Sequence, residues 1–163
     1  MKVNTALLLV PLLLLAVFFP TRAGSFQNEP DGFHGIKWET SSANIPGLQP
    51  VRRFGNDMFF AMKNENLDFG SAALKIIVYI FSKNKFYAAS IGFEGETNFE
   101  KIRSLLFYQH GKRANQGIEG YEYEWVGRDV IISLKYTPKE KFGYIDYIYR
   151  PMMVKQKHGK SVQ

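Results

Sequence analysis

Apolar and polar positions alternate with a period of two through most of the second half of the chain, and the period changes once. From Ala72 onward, Leu74, Ile76, Val78 and Ile80 fall on one side of a strand and Ile77, Tyr79 and Phe81 on the other. Ser82, Lys83, Asn84 and Lys85 make a polar turn, and residues 86–93 return as a second strand, completing a hairpin. A strand apolar on both sides belongs in the interior of its sheet. The period then lengthens: Phe99, Ile102, Leu105 and Leu106 recur at helical spacing. Thr97 and Glu100 have the spacing of a capping box, and Gly111 is a natural stop.

After a loop with Gly117 and Gly120, period two returns. Tyr121, Tyr123 and Trp125 alternate with Glu122 and Glu124, the mark of a strand wet on one side. Residues 130–136 follow, with Val130, Ile132, Leu134 and Tyr136 as the buried face, and residues 144–149 form a last strand that stops before Pro151. Short turns between consecutive strands imply antiparallel neighbours. The expected fold is α+β: an antiparallel sheet of about five to seven strands with one main helix on one face. No repeating βαβ pattern points to a parallel sheet.

The first third is less regular. Residues 24–35 are polar and glycine-rich and read as an arm. Ile36, Lys37 and Trp38 make a short alternation, and Thr40, Ser41 and Ser42 could cap one helical turn. Pro46, Gly47 and Pro50 punctuate a loop, and residues 57–63 read as a strand. Before the arm stands a pattern of export: Lys2, an apolar run over residues 6–19, Pro20, then Thr21-Arg22-Ala23. The run is short of the roughly 20 residues that span a bilayer. A signal peptide cleaved after Ala23 is expected, an uncleaved anchor being the alternative. The expected organisation is a signal peptide over 1–23, one domain over 24–151 and a basic tail over 152–163.

Composition narrows the chemistry. The chain has 163 residues, 45% hydrophobic and 22% charged, and no cysteine. That suits one folded unit and excludes disulfides, thiol nucleophiles and cysteine-bound metals. Without residues 1–23, 19 basic residues stand against 15 acidic, and four of the 19 lie at or beyond Arg150. Residues 24–149 are therefore formally neutral, which gives no support for a nucleic-acid reader. The basic tail is expected to be a frayed, soluble terminus, weak contact with an anionic membrane or envelope surface being the alternative.

Motifs for catalysis fail on inspection. Gly159-Lys160-Ser161 copies the end of a phosphate-binding loop, but Val154 stands where the first glycine is required. Neither Ser71 nor Ser90 sits in a nucleophile elbow. The histidines at 34, 110 and 158 share no ligand spacing, and Asp31 with His34 would hold a metal only on an arm. Glu122 and Glu124 share one strand side at a separation a glycosidase could use, but they read as its solvated side. No metal and no cofactor is expected.

The aromatic residues stand out instead. A sheet covered by one helix buries one face, so some of the late rings are expected on the second. Trp38, Tyr121, Tyr123, Trp125 and Tyr147 are the candidate binding residues, since Tyr and Trp offer an apolar body with a polar tip. Packing of the same rings in the core is the competing reading.

Residues 31–40, with Phe33, Gly35, Ile36, Trp38 and Thr40, resemble the F-x-G-I-x-W-G-T opening of small exported bacterial proteins of uncharacterised function. The later order is similar: a strand like residues 78–81, then Lys85-Phe86-Tyr87, a helix from Asn98-Phe99, and a Tyr-x-Trp strand. Glu39 stands where that pattern has glycine. The resemblance implies export and an α+β fold and carries no catalytic residues. The function expected is an exported, non-enzymatic binding or interaction domain of the bacterial envelope, taking a protein, peptide or glycan. An extracytoplasmic carboxylate-dependent hydrolase acting on glycans and a structural envelope accessory protein are the alternatives.

Overall fold

The computed structural model describes residues 26–111, 115–116 and 120–153. The expected signal peptide, Gly117 and the charged end of the tail lie outside these residues. The fold is α+β. Its main sheet is antiparallel throughout and runs β3 (Leu48–Phe54), β4 (Asp57–Met62), β7 (Ile76–Ser82), β8 (Lys85–Glu94), β12 (Phe142–Tyr149), β11 (Val130–Thr137), β10 (Glu122–Val126). A two-residue strand, β9 (Asn115–Gln116), adds an eighth member beyond β10. Two small ribbons, β1 (Gly32–Phe33) with β2 (Ile36–Lys37) and β5 (Asp68–Phe69) with β6 (Ala72–Ala73), complete the strands. One helix, α1 (Glu96–His110), connects the halves of the sheet.

The alternation in the sequence matches the burial. In β11, Val130, Ile132, Leu134 and Tyr136 are buried and the residues between them are not. In register with them lie Tyr123 and Trp125 of β10, Ile145 and Tyr147 of β12, Ala89 and Ile91 of β8, and Ile77 and Tyr79 of β7. Helix α1 lays Phe99, Ile102 and Leu106 on this face; Phe99 stacks on Tyr136, and Phe107 meets Tyr123 and Trp125 edge-on.

The arm completes the cover. Phe26 and Phe33 are buried, and Trp38 stacks on Phe86 at 5.0 Å while its Nε1–H donates to Pro30 O at 2.9 Å. Glu29 clamps the arm to the β10–β11 turn: Oε1 accepts the N–H of Asp129 and of Val130, both at 2.6 Å, and Oε2 that of Arg128 at 3.1 Å. Three amides converging on one carboxylate make a small anion nest. A Cβ on Gly127 would run into that carboxylate, so a larger residue there would push Glu29 off its three amides. His110, buried at the end of α1, meets Gln27 O through Nδ1 at 3.1 Å, and burial lowers its pKa.

Four features differ from the sequence reading. The strand read from Ala72 begins at Ile76, and Ala72 and Ala73 pair with β5 in a separate ribbon. Residues 48–54 read as a loop but form the edge strand β3; Pro50 is tolerated because its missing N–H costs nothing on an edge, and the register shifts beside it. Helix α1 begins at Glu96 behind Gly95, whose φ is 86°, with no side-chain cap, so Thr97 is inside the helix. Glu100, the expected partner of Thr97, instead pairs with Arg103 one turn on. Finally, residues 150–153 form one helical turn with Met152 buried, so folded structure reaches into the segment assigned to the tail.

Candidate functional site

The aromatic candidates lie on the covered face. Trp125 is wholly buried, and Tyr123 and Tyr147 nearly so; Trp38 and Tyr121 are partly buried and pack against the same core. Tyr121 meets Phe99 and Tyr136, Tyr123 meets Phe99 and Phe107, and Tyr147 meets Phe33. Trp125 Nε1–H donates to Gly111 O at 2.9 Å, which satisfies its one polar atom without a ligand. Tyr79, on the same face, donates to Glu65 Oε2 at 2.8 Å, and burial with the Glu65 carboxylate pushes its pKa far up. The five candidate rings thus belong to one packed layer. Tyr121, Tyr123, Trp125 and Tyr147 have the parity of Ile132 and Leu134, which faces α1, and Trp38 joins the layer from the arm.

The opposite parity builds a second, outer face, apolar along one row and mixed along the others. One row across the strands reads Val126, Ile131, Ile148, Ala88, Ile80 and Phe59. A parallel row reads Glu124, Ser133, Asp146, Ser90 and Val78. A third reads Glu122, Lys135, Tyr144, Gly92 and Ile76. Ile76, Phe142 and Tyr144 are exposed by 46%, 37% and 37%, and they converge on Gly92. A Cβ there would sit 2.9 Å from both Ile76 Cγ2 and Phe142 Cζ. Ile76 and Phe142 thus close over the buried Gly92 and, with Tyr144, form a small exposed apolar patch between polar positions. Ion pairs stand at its margin, Lys75 with Glu94 at 2.9 Å and Lys135 with Glu122 at 2.6 Å.

The middle row holds a desolvated carboxyl group, that of Asp146. Ser90 Oγ–H donates to Asp146 Oδ1 at 2.6 Å. Burial raises the Asp146 pKa, and the Ser90 hydrogen bond only partly opposes it. Desolvation by Val78, Ala88 and Ile148 disfavours the charge, and no cation pairs with Asp146 among the described residues. A cation from outside would relieve that cost. The sequence reading missed this site because Ser90 and Asp146 lie 56 positions apart and meet only through the β8–β12 pairing. The one available signal was a charged residue inside an apolar strand.

Among the described residues no group of three or more His, Asp or Glu side chains is arranged to hold a metal, and no helix is long and apolar enough to cross a membrane. Compared with family models, with curated proteins and with solved structures, the chain matches none.

Proposed function

We propose that this chain is an exported, non-enzymatic interaction domain of the bacterial envelope that docks a partner protein on the outer face of its sheet. The observation that carries the reading is the convergence of Ile76, Phe142 and Tyr144 on Gly92, beside the desolvated Asp146 carboxyl. An exposed apolar patch rimmed by polar groups is the usual form of a protein-docking surface. The partner chemistry that fits is an apolar surface carrying one basic side chain: the apolar part covers Ile76, Phe142 and Tyr144 and the cation pairs with Asp146. Export rests on the residue 1–23 pattern and on the resemblance of residues 31–40 to small exported proteins.

Photocrosslinking in the producing cell tests this. A photoreactive side chain at Val78 or Ile131 is expected to give a discrete protein adduct, and the same group at Lys139, in the exposed β11–β12 turn, none. Adducts only to glycan, or none from the outer face in a folded, exported protein, would overturn it. A reporter fused after residue 25 and read in the periplasm tests export separately.

One observation favours the hydrolase alternative. Glu124 and Asp146 lie on strands either side of Ser133, about 10 Å apart at Cα by strand spacing, near the roughly 6.5–9.5 Å between carboxyl groups in inverting glycosidases. Release of reducing sugar from envelope glycan by the native protein, abolished in Asp146→Asn and in Glu124→Gln, would establish that reading and displace the first.

A further inference from the structure

The covered face is not covered to its end. Helix α1 and the arm reach across β10, β11, β12 and β8, and Trp38 stacks on Phe86; beyond it stands the short turn at Ser42–Asn44, tied to the β7–β8 turn by Ser42 N–H to Asn84 O at 3.1 Å. Between the β7–β8 turn and the β3–β4 hairpin lies a cleft of about 430 Å³, lined by Arg53, Asn56, Met58, Phe60, Lys83 and Asn84.

The lining divides by chemistry. Met58 and Phe60 alternate onto one side of β4 and form an apolar wall; Phe60 is anchored edge-on against the buried Phe81 at 5.1 Å. Arg53, directly across the ladder from Met58, shares that side. Lys83 and Asn84 occupy a two-residue turn in which both have positive φ, 47° and 62°, a tight hairpin turn. It sets their side chains beside the wall. Asp57 lies between Asn56 and Met58, but alternation turns it to the other side, where it accepts from Tyr87 Oη at 3.1 Å. Neither Arg53 nor Lys83 has an ion-pair partner among the described residues; Arg53 Nε–H reaches only Gly55 O, at 3.3 Å. The cleft therefore offers two cations without an ion pair among the described residues and two amides, beside a thioether and a phenyl ring.

We infer that this cleft binds an amphiphilic organic anion, a phosphate or carboxylate group attached to an acyl or aryl body. The anionic head takes Arg53 and Lys83, with Asn56 and Asn84 as neutral donors, and the body lies on Met58 and Phe60. Guanidinium and ammonium together suit a multiply charged oxyanion better than either alone. The volume falls within the range of small-molecule sites. This site is separate from the outer sheet face and stands or falls independently of it.

Dodecyl phosphate below its micelle concentration is the probe, with inorganic phosphate and the neutral dodecyl maltoside as comparisons, read by amide chemical-shift titration of the full chain. Saturable binding of dodecyl phosphate is expected, with the largest shifts at Asn56, Met58, Phe60 and Asn84. Binding at least tenfold weaker is expected for inorganic phosphate, for dodecyl maltoside and for the double variant Arg53→Gln, Lys83→Gln. Both replaced side chains are exposed, so the melting temperature of that variant is expected to stay unchanged. Equal affinity for the phosphate and maltoside detergents, shifts centred elsewhere, or an unchanged affinity in the double variant would each overturn the assignment. Co-sedimentation with phosphatidylglycerol vesicles, lost in the double variant, would assign a lipid headgroup as the source; saturable binding of monomeric dodecyl phosphate without vesicle association would assign a soluble ligand.

Discussion

Two residues sit in conformations or surroundings that work against stability. Glu39 has φ of 64°, in the left-handed region, at the position where the exported-protein pattern has glycine. A side chain there costs roughly 1–2 kcal/mol that glycine escapes. Glu39→Gly and Glu39→Ala both delete the carboxylate, so their difference isolates the backbone: the glycine variant is expected to be the more stable by about 1 kcal/mol in a denaturant titration. Equal midpoints would show no strain. Asp146 is the second case. Its folded pKa lies above the 3.8 of a free aspartate, so the folded state binds the extra proton and stability declines as pH rises through the folded pKa. Asp146→Asn is therefore expected to raise the unfolding midpoint at pH 7, with an advantage that vanishes below about pH 4. A lower midpoint at pH 7 would mean that the charge stabilises the isolated fold.

Among the elements, Thr97 and Trp38 make a contrasting pair. Thr97→Ala is expected to change stability by less than about 0.5 kcal/mol, because no side chain caps α1. Trp38→Ala is expected to cost about 3 kcal/mol, since its ring bridges Phe86 and Tyr149. Paired denaturant titrations check both, and a larger loss at Thr97 than at Trp38 would reverse the account of how the arm and helix are held. The same elements show what was legible beforehand. Strands β4, β7, β8, β10, β11 and β12 and the helix could be read, because side-chain parity and helical spacing are local properties. Strand β3 could not, because Pro50 and Gly47 look alike in a loop and on an edge. The helix start was misread because the chain enters α1 through Gly95, which offers no side chain, and Thr97 and Glu100 already lie inside the helix. Which face α1 would cover was beyond reach: it depends on chain path, and the chain set Trp125 and Tyr147 inward and left Ile76 and Tyr144 outward.

At the scale of the molecule, one sheet faces two environments. Its inner face is closed, short of the cleft at the β3–β4 end, by a helix and by an arm that a single carboxylate, Glu29, fastens through three amides. Its outer face keeps aliphatic and aromatic side chains in contact with water around one desolvated acid. The site residues on that face became visible only once β8 and β12 were paired. That an outside partner completes this face is the central claim. The most direct measurement is carbene footprinting of the native protein, purified and within intact producing cells. The account predicts that Ile76, Ile131, Tyr144 and Ile148 are labelled in the purified protein and protected in the cell, while Lys139 is labelled in both. Equal labelling of the outer face in the two settings, or protection already present in the purified chain, would contradict it.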